Sequence, residues 1–155
     1  ETVLEKLGDK LPDGTIIGAR GPNGPFAPDS ELNNWFRSTF IEKFDSQPVY
    51  SAYHMASAFL GAKAAWDKAL TKTNDPTIDD AIASFEYLKF ESVSGNISMD
   101  LGKGHQAVQH VPYGTIKNVN GKYELTDVIY FEPELISPPD GVNSADWIKS
   151  GFKND

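Results

Sequence analysis

Side chains able to act on a small molecule gather at three places in the chain. Tyr50, Tyr53 and His54 stand together at the start of the longest apolar run, 49–70. Arg20 lies inside the glycine-rich stretch GARGPNG, and its planar donors match a carboxylate. The plainer reading of Arg20 is a salt bridge at a joint between two bodies. His54 could donate to a bound carboxylate, although a lone histidine near a helix start is more often a surface or hydrogen-bonding residue. Tyr53 suits a packed position as well as a site. The third place holds Asp100, His105 and His110. Their spacing fits no zinc pattern, with the histidines on a loop and a strand, so neither metal nor cofactor is expected. Catalysis is not expected either. No G-x-S-x-G elbow or H-E-x-x-H motif occurs, and the glycine-rich stretch is neither a P-loop nor a dinucleotide fingerprint.

The elements that must hold these residues can be read from periodicity. Over 49–70, Met55, Phe59, Ala62, Trp66 and Ala69 line one helical face, and Tyr53, Ala56, Leu60 and Ala64 line a neighbouring one. Pro48 stands where a fixed φ opens a helix. A helix apolar over so much of its surface is expected to pack on more than one side, as a buried central helix. Before it, Asp29 or Ser30 can cap a helix carrying Leu32, Phe36, Phe40 and Phe44 at four-residue steps. After it, Thr77 and Asp80 form a capping-box pair ahead of a third helix whose buried stripe is Ile78, Ala81, Ile82 and Phe85.

Val3, Leu4 and Leu7 suit a helix end stopped by Gly8. Thr15, Ile16 and Ile17 read as a short buried strand, and the Gly- and Pro-rich 18–28 as a shaped crossing. Residues 91–95 read as a turn and 96–101 as a half-buried strand. Gly102 and Gly104 loosen the chain, and 111–117 and 122–131 form strands joined through Asn120-Gly121. A short helical piece is expected around Trp147 and Ile148. The chain thus reads as three helices between strand-bearing ends, with joints near 18–28 and 102–105.

At 155 residues the chain can hold a real core, and 39% hydrophobic with 23% charged residues is ordinary for a globular protein. A net charge of −8 argues against nucleic acid or an anionic membrane surface as partner. The absence of cysteine excludes disulfides and thiol chemistry. With Glu1 first and no leader-like segment, the chain reads as a processed product or a piece of something longer.

Residues 11–131 resemble type I periplasmic solute-binding proteins of ABC importers, in the branch that takes up branched-chain amino acids and amides. The resemblance is carried, in order, by LPDG, ELNNWFRSTFIEKF, QPVYSAYHMASAFLGAKAAWDKAL, FESVSGNISMDLGKGH and VPYGTIKNVNGKYEL. Each piece is weak alone; their order and spacing are specific. The resemblance implies an α/β fold, the C-terminal part of a two-lobed protein with Rossmann-like lobes. Residues 1–19 and 105–155 would belong to the second lobe, and 20–104 to the helices of the first.

It also implies a binding function, with a small amino acid, amide or carboxylate captured between lobes and delivered to a membrane permease. The location implied is periplasmic or at the outer cell surface. Tyr50 matches the place of the aromatic residue that closes over the ligand, with a packed tyrosine at a helix end as the alternative. Tyr53, His54 and Arg20 are the other candidates. The strands that the apolar helix should cover are absent, so the missing N-terminal part or a second copy is expected as a partner. A ligand-sensing domain of a regulator with the same fold is the alternative function, and a hydrolase remnant a third, for which the sequence offers no acid–base pair.

Overall fold

A computed structural model describes residues 6–120 and 122–153, with the side chains of Asp9, Gly102 and Lys103 excepted. In chain order the elements are β1 (Ile16–Gly18), α1 (Glu31–Phe44), α2 (Tyr50–Leu70), α3 (Ile78–Phe85), β2 (Lys89–Ser92), β3 (Gly95–Asp100), the single turn α4 (Leu101–Gly104), β4 (Gln106–Val108), β5 (Val111–Val119), β6 (Lys122–Phe131), α5 (Pro133–Ile136) and α6 (Ser144–Lys149). They form two compact units. One comprises the chain up to Ala56 with Val93–Gly95 and His110–Phe131; the other comprises Ser57–Ser92, Asn96–Gln109 and the chain from Glu132 on. The first unit holds α1 together with β1, β5 and β6.

The first unit is built on an antiparallel sheet of order β1-β5-β6. Residue alternation sends Ile17, Gly114, Ile116, Tyr123 and Leu125 to one face, since Ile17 pairs with Gly114 and Ile116 with Leu125. Ile16 therefore points the other way and is 72% exposed, so β1 is not the buried strand that its composition suggests. The hairpin from β5 to β6 closes as expected, with Val119 opposite Lys122 and Asn120 at φ 54. Gly121 lies outside the described residues. An extra residue on β6 between the Tyr113–Ile129 and Thr115–Thr126 pairs makes a bulge, where Asp127 takes φ 51.

Ser30 caps α1 by accepting from the Asn33 N–H at 3.2 Å. The expected phenylalanine seam is only partly covered. Phe36 and Phe40 are half-buried and Phe44 is exposed, while the buried residue of α1 is Asn33, whose amide donates to the Pro28 carbonyl at 2.7 Å. Of the expected helix end at the N-terminus, Val3 and Leu4 lie outside the described residues. Leu7 leads into a 3-10 turn at Gly8–Lys10.

The helix α2 has its first residues, to Ala56, in the first unit and the rest in the second, and its packing corrects the expectation of a helix buried on several sides. Its inward row is Tyr53, Ser57, Gly61, Ala65 and Ala69, spaced by four, whereas Met55, Phe59 and Trp66 are exposed, Phe59 at 68%. Small residues make the difference, because they let another element come close. A Cβ on Gly61 would lie 2.8 Å from the Phe90 ring. Ala65, Leu88 and Met99 form the core there, with Ala64, Phe85 and Phe90 against it. Phe90 comes from a strand that periodicity missed, and Leu88 immediately precedes it. KFES over 89–92 carries a single apolar residue, yet it forms β2 beside β3, with the short β4 on the far edge.

In α3 the expected stripe is also corrected. Ile78 and Ile82 are exposed, Ile78 at 74%, and the fully buried residue is Ser84. The helix nevertheless starts where its cap predicts. The Thr77 hydroxyl and N–H both donate to Asp80, at 2.7 and 2.8 Å, and Asp80 N–H returns a bond to the Thr77 hydroxyl. The hydroxyl first, then the backbone N–H, hold the Asp80 carboxyl below its ordinary range. This carboxylate supports the helix start above that range, and the support is lost as pH falls through the lowered value. Thr77→Ala is expected to return the Asp80 titration towards an ordinary aspartate, read by carboxyl NMR; an unchanged titration would mean that the hydroxyl is not the cause.

Trp147 on α6 is buried, edge-on to Phe152 at 5.1 Å. Among the described residues, no helix is long and apolar enough to cross a membrane.

Candidate functional site

The first unit's cleft arises where β1 ends. Gly18 pairs with Tyr113, and a Cβ there would lie 2.6 Å from the tyrosine ring, so a larger residue would have to push that ring aside. The next residue, Ala19, donates to the Pro112 carbonyl at 3.1 Å. The chain then turns through Gly21 at φ 95 and a 3-10 turn at Gly24–Phe26. This path and the first residue of α2 enclose a cleft of about 550 Å³ lined by Ile17, Gly18, Ala19, Arg20, Asn23, Pro25, Phe26 and Tyr50. Its size suits a small metabolite.

Asn23 holds the path in place. It is 2% exposed, donates to the Arg20 carbonyl at 3.2 Å, and accepts from the Ser94 hydroxyl at 2.9 Å. His54 Nε2 lies 2.9 Å from the same Arg20 carbonyl and 3.3 Å from the Asn23 amide nitrogen. A carbonyl can only accept, so Nε2 carries the proton and donates to it. The Tyr50 ring meets the His54 ring edge-on at 5.6 Å and remains 57% exposed. At the other wall, the Phe26 carbonyl accepts from the Tyr130 hydroxyl at 3.0 Å.

Two of the four candidate residues, Arg20 and Tyr50, thus line one cleft. Arg20 is exposed, is the single charged side chain on the wall, and forms no ion pair among the described residues. His54 stands behind the wall with Nε2 committed to the backbone. Tyr53 points away from the cleft, fully buried, its ring 5.0 Å from Phe36. Asn23, Ser94 and Phe26 escaped the sequence reading. The one available signal was an asparagine placed between glycines and prolines, where its amide can tie a loop. The third cluster does not assemble. His105 Nε2 sits 3.1 Å from Glu86 Oε1, and among the described residues no three histidines or carboxylates could hold a metal together.

No family model matches the chain, and no curated relative does. Solved structures do match. An ABC-type branched-chain amino acid transporter protein from Rhodopseudomonas palustris is 22% identical over 85% of this chain and 34% of its own, with a TM-score of 0.67. A leucine-, isoleucine-, valine-, threonine- and alanine-binding protein from Brucella ovis, in its closed conformation, is 17% identical over 85% of this chain and 35% of its own, with a TM-score of 0.61. A third, an ABC-transporter solute-binding protein from Rhodopseudomonas palustris in complex with 3,4-dihydroxybenzoic acid, is 21% identical over 82% of this chain and 34% of its own, with a TM-score of 0.56. The chain spans about a third of the length of these structures. Its fold is that of part of a type I solute-binding protein of ABC transporters.

Proposed function

We propose that this chain is part of an extracytoplasmic solute-binding component of an ABC importer, capturing a small carboxylate-bearing ligand by binding and not by chemistry. The observation that carries the reading is Arg20 and Tyr50 on one cleft of metabolite size, in a fold shared with such proteins. Arg20 pairs with the ligand carboxylate through its fork of donors, and the exposed Tyr50 ring covers the ligand's apolar or aromatic body. The solved relatives named for branched-chain amino acids and dihydroxybenzoate share that chemistry of one carboxylate on an apolar body.

In the complete protein, 1–19 and 105–155 belong to one lobe and 20–104 to the other. The ligand stabilises the closed arrangement by contacts made only there, and the closed form is handed to a permease at the membrane. The exposed Phe59, Trp66, Ile78 and Ile82 are then the surface for the remainder of the fold, supplied by a complementary polypeptide or a second copy.

The test is a titration of the chain with L-leucine, 3,4-dihydroxybenzoate and the amide of leucine, followed by ligand-observed NMR. A free carboxylate is expected to bind, with affinity falling roughly tenfold in Arg20→Gln and in Tyr50→Ala. Equal binding of acids by wild type and Arg20→Gln would remove Arg20 from the site and sink the reading. Native mass spectrometry of the same sample tests the partner. A strictly lone chain that fails to bind a dye for exposed apolar surface would rule out the proposed covering of Phe59 and Trp66.

A further inference from the structure

The same unit contains a second cavity, of about 530 Å³, which shares Ile17 and Pro25 with the first. Its floor follows from strand alternation. Ile17, Ile116, Tyr123 and Leu125 all project from one face of the β1-β5-β6 sheet, and Glu124 between the last two projects from the opposite face. Gly114 lies among them, and a Cβ there would come 2.7 Å from a Leu125 methyl, so a side chain at 114 would have to displace Leu125. The roof is Phe40 and Arg37 of α1, spaced so that both face the same way, with Gln47 and Val49 from the following loop and the buried Tyr53. The lining is thus mainly hydrocarbon and aromatic, with Ser46 and Gln47 as neutral polar residues and Arg37 as its single charged one.

That cation is the informative group. Arg37 is half-buried, and its one hydrogen bond among the described residues runs from Nη2 to Gln47 Oε1 at a long 3.4 Å. No carboxylate of the described residues pairs with it. A guanidinium beside an apolar chamber, in a chain of net charge −8, selects an anion that brings its own hydrocarbon. We propose that this chamber is a second binding site, separate from the Arg20–Tyr50 cleft, for an amphipathic monocarboxylic acid. The carboxylate takes the planar donors of Arg37, and the acyl or aryl body lies between Phe40 and the Ile116–Leu125 pair. The inference does not rest on the function proposed for the Arg20 cleft, and the two can fail separately.

The probe is sodium octanoate, with octanol as the neutral counterpart, followed by methyl NMR of the 155-residue chain. Saturable shifts of the Ile17, Ile116 and Leu125 methyls are expected with octanoate. Affinity should fall roughly tenfold for octanol and for Arg37→Gln, and stay unchanged in Arg20→Gln. Leu125→Phe, which narrows the chamber without touching Arg37, should weaken octanoate as well. Equal binding of octanoate and octanol, or indifference to Arg37→Gln, would show general apolar adsorption and overturn the proposal. Loss of octanoate binding in Arg20→Gln would merge the two sites, and methyl shifts on simple dilution of the protein would make the occupant a second copy of the chain. Either result overturns it too.

Discussion

Gly104→Ala is expected to cost this protein about 3 kcal/mol or more, the size seen when backbone strain and a steric clash coincide. Gly104 is buried at φ 77, and a Cβ added there would lie 2.5 Å from the Tyr87 backbone nitrogen and 3.0 Å from its ring. No change of rotamer moves a backbone nitrogen. Tyr87 cannot retreat cheaply, because it sits at φ 53 itself, with its N–H donating to the Gly104 carbonyl at 3.3 Å. The conformation alone costs an alanine about 1 kcal/mol, and the clash adds the rest. For a chain of this size the melting temperature should drop by roughly 6–12 °C. Gly141 supplies the control, with φ 80 and nothing within 4 Å of an added Cβ. Gly141→Ala should lose roughly 2–4 °C. Equal losses in the two variants, read by thermal circular dichroism, would mean that the Tyr87 contact is not what requires glycine.

The second large effect is expected at Asn23. Asn23→Leu keeps the volume but removes the bonds to the Arg20 carbonyl and the Ser94 hydroxyl inside a buried site. Losing buried partners of this kind costs about 2–3 kcal/mol in total. The cleft should lose ligand binding as well, because Asn23 ties down the turn that carries Arg20. Asn23→Asp separates the two bonds, because it keeps the size and the acceptor for Ser94 but replaces the donor to the Arg20 carbonyl with an oxygen. Urea denaturation should place this variant below wild type. Stability equal to that of wild type would mean that the bond to the Arg20 carbonyl is not what holds the turn.

The helices were legible because two signals agree in each. Ser30 and Thr77 cap where expected, and an apolar period follows each cap, so α1 and α3 begin where they were placed. The helix expected over 49–70 runs Tyr50–Leu70. Which face packs was not legible. Apolar side chains mark surface that can be buried, whereas Ser57, Gly61 and Ala65 mark where a neighbour actually approaches, and both kinds of face were present on α2. β2 and β4 escaped because short strands with one or two apolar residues owe their existence to the ladder beside them. At the cleft, Arg20 and Tyr50 could be named from residue type and the family resemblance. The Asn23–Ser94 bond joins positions 71 residues apart, and nothing local in either segment announces it.

The pairing of β1 with β5 sets a timetable for the chain's synthesis. Ile16 meets Thr115, so the ribosome must add roughly a hundred residues after β1 before its partner exists, about five to twenty seconds at ordinary rates of elongation. During that interval α1, α2 and α3, whose bonds are local, can form, but β1 waits for its β5 partner. In refolding from denaturant the same separation makes closure of β1 onto the β5–β6 hairpin the late event, since the hairpin closes a two-residue turn and β1 must close a loop of roughly a hundred residues. An N-terminal probe near Ile16 should therefore report native structure later than one on Leu125.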